Sequence, residues 1–208
     1  MSEDVHENFP LFPLGIVALP SEQVPLHIFE DRYLRMIEGC LEHGSEFGIL
    51  WLAEEELKSI GCACRIERVL ERAPDGTIDI LALGGDPFRL LARQEDMPYP
   101  AGTVQMLCDQ HEQLDTDAAS AAHEVYAQLV EAATDTAPSA AELQVMDSYR
   151  MAATVDFGSD AKQQLLELRS ENARLALLSK LLRAAIKHME LVEQAQGRAR
   201  SNGKVRFG

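Results

Sequence analysis

Apolar side chains alternate with prolines over Phe9-Pro10-Leu11-Phe12-Pro13-Leu14. Proline has no amide hydrogen to donate, so this rhythm predicts an extended segment at a sheet edge rather than a central strand. The polar turn Ser21-Glu22-Gln23 separates it from a second extended piece, Val24 to Phe29. Phe29, Tyr33, Met36, Ile37, Cys40 and Leu41 then recur at three- and four-residue steps, which predicts one helix with a buried face. Gly44 is placed to end it, because glycine accepts the left-handed conformation of a helix C-terminus.

A strand over Phe47 to Leu52 follows, then a solvated Glu54-Glu55-Glu56 interruption and a strand resuming at Ile60. Imperfect alternation of Ile66, Val69 and Leu70 predicts a bulge between Arg65 and Arg72. Pro74-Asp75-Gly76 is a turn signal, with Ile78, Ile80 and Ala82 facing one way beyond it. Gly84-Gly85 leaves room for a turn or a close backbone approach before a strand at Phe88 to Leu91, and Val104 to Leu107 supplies one more.

Near Cys108 the pattern changes to alanine, glutamate, glutamine and leucine, the composition of helices. Helices are predicted over 118–133, 140–154 and 161–169, the third started by an Asp160/Gln163 capping pattern. A last helix after Ser170 carries the stripe Leu175, Leu178, Leu182, Ile186 and Met189. The fold class is therefore α+β: a β-rich region with one short helix over 9–107, followed by an α-helical bundle over 108–193. Residues 194–208 hold Arg198, Arg200, Lys204 and Arg206 without an acid, which predicts a flexible basic tail.

With 46% apolar and 25% charged residues the chain has an ordinary globular composition, which excludes overall disorder. Its net charge of −15 disfavours phosphate backbones, so no nucleic acid is expected as partner. No run of about eighteen apolar residues predicts a membrane span, and the acidic start does not read as a secretory signal. Four cysteines are too few for a disulfide scaffold of this length, and a reducing, cytoplasmic setting is expected.

Candidate chemistry changes little. Cys62 and Cys64 share a strand face, but no second pair or nearby histidine completes a four-ligand zinc site. His27 stands between apolar residues in an extended segment and reads as a structural or surface histidine. Glu30-Asp31 opens the first helix, where capping accounts for the pair. Gly84-Gly85 lacks the lysine and serine or threonine of a phosphate-binding loop. No catalytic residue, metal or cofactor is expected. A small hydrolase with residues converging only in three dimensions, or an oligomer built through the helical end, are the alternatives to a binding module.

The ordered motifs resemble the amino-terminal substrate-binding domain of ATP-dependent Lon proteases. They are Phe9 to Leu14, Leu19-Pro20, Val24-Pro25-Leu26-His27-Ile28-Phe29-Glu30 with Arg32-Tyr33, Phe47-Gly48, and Ile60-Gly61-Cys62-Ala63-Cys64-Arg65-Ile66. The stretches Pro74 to Thr77 and Gly84 to Arg89 continue in register, and Leu165-Leu166-Glu167 to Leu182 matches the helical end. The resemblance implies a pseudo-barrel followed by a helical bundle, and a module that holds polypeptides without the ATPase and Ser-Lys protease domains of the full enzyme. A protein or peptide partner follows, with the chain serving as an adaptor or substrate-recognition factor. Phe29, Arg32, Tyr33 and Phe88 are the candidate binding residues. Arg32 offers a planar donor fork beside two aromatic rings, suited to carbonyls or a carboxylate. Core packing and an ion pair are the competing roles, the former more so for Phe29 and Phe88.

Overall fold

The computed structural model describes residues 4–94 and 96–202. Seven strands form one sheet: β1 (Val5–Leu14), β2 (Gln23–Ile28), β3 (Phe47–Ala53), β4 (Glu56–Leu57), β5 (Ile60–Arg72), β6 (Ile78–Gln94) and β7 (Ala101–Met106). Helix α1 (Asp31–His43) lies between β2 and β3 in sequence. After the strands come α2 (Thr116–Thr134), α3 (Ala140–Gln144), α4 (Ser148–Ala152), α5 (Ser159–Glu167) and α6 (Glu171–Asn202). The class is α+β, as the sequence predicts.

The sheet closes on itself through β1. Its first half runs antiparallel to β7, from Val5↔Gln105 to Pro10↔Ala101, and its second half runs parallel to β3, from Leu11↔Gly48 to Leu14↔Trp51. With the order β1-β7-β6-β5-β3, the β1–β3 pairing completes a ring. The proline-rich segment is thus not an edge strand. It tolerates its prolines because it changes partner along its length, bonding to β7 up to Pro10 and to β3 after it. Asn8, in the left-handed region at φ 56°, sits within the register shift between His6 and Phe9. Closure removes strand edges that would otherwise invite further pairing.

Glycines set the packing inside this ring. A side chain at Gly48 would come within 2.5 Å of the Phe88 ring, so the phenyl group fills the space that the missing Cβ leaves. Phe88 packs edge-on against Phe9 at 5.6 Å between centroids, within a cluster completed by Leu11, Leu50, Ala63 and Val104. Gly84-Gly85 is a close approach rather than a turn. β6 continues through it for 17 residues, and a Cβ at Gly84 would collide with the Leu19 carbonyl oxygen. There the Gly84 amide donates to the Glu22 carbonyl, while the Ser21 amide donates to the Gly84 carbonyl. Where one bulge is predicted, between Arg65 and Arg72, β5 carries two register shifts, at Ile66/Arg68 and Val69/Glu71.

The chain divides into two compact units, the first comprising residues 1–112 with 147–171 and the second 113–146 with 172–208. The partition expected from composition, at residue 108, runs once along the chain, whereas these units alternate in sequence. Local chemistry accounts for where α4 and α5 go. The Ser148 amide and hydroxyl both donate to the Glu171 carboxylate, and the Tyr149 hydroxyl donates to the Leu165 carbonyl. From α5, the Gln163 amide donates to the Ile60 carbonyl of β5, and Lys162 forms a largely buried ion pair with Glu22. The single helix predicted over 140–154 is broken because Asp147 caps a new start, its carboxylate accepting from the Arg150 amide.

In the second unit Asp115 caps α2 by accepting from the Asp117 and Ala118 amides, and Ser139 with Glu142 forms a capping box on α3. Ala122, Val125, Tyr126 and Leu129 of α2 are buried, as are Leu175, Leu178 and Leu182 of the predicted α6 stripe. Helix α6 reaches Asn202, so the part of the basic tail up to that residue is helical; residues 203–208 lie outside the described residues.

Candidate functional site

Helix α1 begins one residue after Glu30, and its buried stripe is Tyr33, Met36, Ile37 and Cys40. Phe29 therefore falls outside the helix, in the short connection from β2, instead of forming the first member of that stripe. It is 63% exposed, contrary to the core role that its spacing suggests. Gly44 ends the helix as expected, at φ 62° and with its amide donating to the Cys40 carbonyl.

Phe29 stands over a cleft of about 500 Å³ in the first unit. The walls come from three places in the chain: Phe12, Pro13 and Leu14 at the end of β1, His27 to Tyr33 around the start of α1, and Leu52 with Pro100. At its base Tyr33 is packed against Phe12 with 4.3 Å between centroids, and Phe12 in turn lies 6.3 Å from Phe47. Burial pushes the Tyr33 hydroxyl above its ordinary pKa, with the Arg32 charge opposing. The rim is wetter. His27 Nδ1 lies 2.6 Å from the Asp79 carboxylate on β6, and the Phe29 ring stacks on the imidazole at 5.8 Å and 26°.

Arg32 lies with its guanidinium carbon 4.6 Å above the centre of the Tyr33 ring. Its Nε and Nη2 both reach Glu30, at 2.9 and 2.8 Å. The donor fork is thus occupied by a neighbouring carboxylate, leaving the cleft close to neutral. Glu30 occupies the N-cap position, yet its side chain makes no capping bond. The capping role that its position suggests is replaced by this ion pair.

Three of the four candidate binding residues, Phe29, Arg32 and Tyr33, come together in the cleft. Phe88 does not. It is 0% exposed and fills the ring interior over Gly48, so it has no surface to offer. Leu52 and Pro100 complete the cleft without having been expected there. Leu52 lies near the end of an otherwise largely buried strand and is 39% exposed, a break in pattern visible only once the strand's burial is known.

The described cleft-lining residues include no Ser, Thr or Cys beside the His27–Asp79 pair. Elsewhere, the Cys62 thiol is fully buried and held well above its ordinary pKa, first by its hydrogen bond with Cys64 and then by burial, the reverse of an activated nucleophile. No group of three or more His, Cys, Asp or Glu able to hold a metal is found among the described residues. No described helix is long and apolar enough to cross a membrane.

Residues 8–184 match the family model for the ATP-dependent protease La (LON) substrate-binding domain. Lon protease 1 of Hydrogenovibrio crunogenus is 23% identical over 209 aligned positions, covering 92% of this chain and 25% of that protein. The chain thus spans about a quarter of the length of this relative. A crystal structure of a Lon N-terminal domain protein from Xanthomonas campestris superposes with a TM-score of 0.62 at 26% identity, covering 82% of this chain and 96% of that one. The N-terminal domain of the Mycobacterium avium complex Lon protease gives 0.64 at 19% identity, covering 85% and 98%.

Proposed function

The chain belongs to the LON substrate-binding domain family, and from that premise we propose that it is a non-catalytic module that holds polypeptides in the cleft beneath Phe29, as an adaptor or substrate-recognition factor related to Lon proteolysis. The observation that carries this reading is Phe29 itself. A large aromatic ring held 63% exposed by stacking on an ion-paired histidine, over a carbon-rich cleft, has no packing role to explain it. The end of β2 lines the same cleft, and among the described strands β2 pairs with β6 alone. A strand with one unpaired edge can accept an extended peptide by adding main-chain hydrogen bonds, while the cleft takes a side chain.

Phe29 and Leu52 supply apolar contact, and Tyr33 with Phe12 supplies a floor that does not need to reorganise on binding. Arg32, already bound by Glu30, acts as a lid over Tyr33 rather than as a carboxylate receptor. A partner of polypeptide chemistry suits these walls better than nucleic acid does, given the net charge of −15. The four free cysteines fit a reducing cytoplasmic setting.

Titration of a fluorescently labelled, permanently unfolded polypeptide tests the reading. Saturable binding to the wild-type protein, lost in Phe29→Ala and with no cleavage of the ligand, is the expected result. Binding of equal strength in Phe29→Ala would remove the cleft from the account, and hydrolysis of the ligand would remove the non-catalytic assignment.

A further inference from the structure

Resting on the reading that the cleft holds a polypeptide, we propose that its preferred occupant pairs an apolar or aromatic anchor with lysine or arginine a few residues away. Leu52 lines the cleft, and it also lines an adjoining depression of about 740 Å³. The walls of that second depression include Trp51 and the carboxylates of Glu54, Glu55, Glu56 and Asp160. The two share a wall, so one extended segment can occupy both.

Their chemistry differs in a way that specifies the occupant. In the cleft, the one arginine among the described lining residues is neutralised by Glu30, and carbon dominates the surface. In the second depression no basic residue is among the described wall residues, and Glu54, Glu55 and Asp160 are exposed. Of its four acids, Glu56 has a cationic partner among the described residues, Lys58 at 3.0 Å. Beside them the Trp51 indole offers an aromatic face, the better kind for a cation. An acidic segment would meet like charge there, and the chain's overall −15 acts in the same direction.

The β3–β4 hairpin brings the acids next to the cleft. Beyond Leu52 the strand turns at Glu54-Glu55 into β4, with Glu54 in the left-handed region at φ 54° and Ala53 paired with Glu56, so the carboxylates cluster at the hairpin tip next to Leu52. A ligand with its anchor under Phe29 and its chain running past Leu52 would place a side chain a few residues away among the carboxylates.

Three short fluorescent peptides decide the matter by anisotropy titration. They share one aromatic anchor and carry, three positions away, two lysines, two serines or two glutamates. The lysine peptide should bind about fivefold more tightly than the serine peptide at low salt, as two exposed ion pairs would give, and the glutamate peptide more weakly than both. In the double variant Glu54→Gln/Glu55→Gln the lysine advantage should vanish while the serine peptide keeps its affinity, which also shows that the variant is folded. High salt should do the same to the wild-type protein. Equal affinities for all three peptides, or a lysine preference that survives in the double variant, would overturn this inference and leave polypeptide binding standing. Failure of every peptide to bind would remove both.

Discussion

The ring interior around Phe88 and the cleft beneath Phe29 are made of the same kinds of side chain, yet they treat water oppositely. Phe88 sits where two glycines make room for its ring, since a Cβ at Gly61 would approach it within 2.8 Å and one at Gly48 within 2.5 Å. Phe29 is instead propped outward against His27. Apolar character alone therefore does not decide which aromatic is core. The decisive feature is the space that other residues leave for it, and that space lies far away in sequence, on β3 and β5.

The largest way to break this contrast is Phe88→Ala. It should cost about 4 kcal/mol of stability, because a buried aromatic is lost and the rigid strands around it cannot collapse. Urea unfolding monitored by circular dichroism reads this directly, and a loss below about 1 kcal/mol would show that the interior is not packed as described.

Phe29→Ala should do the reverse, changing stability by about 0.5 kcal/mol or less while reducing polypeptide affinity about tenfold or more. The same urea series alongside the binding titration separates the two effects.

Thiol reactivity sharpens the comparison without mutation. Cys108 is exposed, whereas Cys40, Cys62 and Cys64 are buried, and burial pushes the Cys40 thiol upward as well. A disulfide reagent should therefore modify one thiol quickly in the native protein and the other three only as it unfolds. Rapid reaction of Cys62 or Cys64 would mean that the ring opens.

The smallest effect is expected on the surface of α1. There Arg72 donates to Glu38 at 2.5 Å, and this bond holds the carboxyl below its ordinary pKa. A depressed carboxylate adds stability above its unfolded pKa, and that stability is lost as pH falls through the folded value. Arg72→Gln should raise the Glu38 pKa toward the ordinary range in an NMR titration and flatten the acid side of the stability profile slightly. The pair is exposed, so its contribution is modest.

Local signals carried much of the fold. The Pro74-Asp75-Gly76 turn, closed by the Asp75 carboxylate accepting from the Thr77 amide and hydroxyl, needs only adjacent residues to specify it. The Gly44 cap is local in the same sense. What could not be read depends on distant partners. Pro10 and Pro13 mark a strand that cannot be bonded on both sides at once, but an edge strand and a strand that switches partner look alike until β3 and β7 are known. Likewise Phe29 falls on the helical period of Tyr33 and Met36, and only the observed start of α1 at Asp31 releases it. The cleft was legible as a neighbourhood of Phe29, Arg32 and Tyr33; its far wall, Leu52 and Pro100, was not.

The dual pairing of β1 also bears on how the chain is made. Val5 leaves the ribosome about a hundred residues ahead of its partner Gln105. Until that partner arrives, the first strand can hold only its β3 half, from Leu11 to Leu14. Folding that waits on so remote a contact is slow, and the open intermediate exposes strand edges that can pair with other chains. During its own synthesis, a chain of this design keeps the β7 half of its first strand without its partner until residue 105 has emerged.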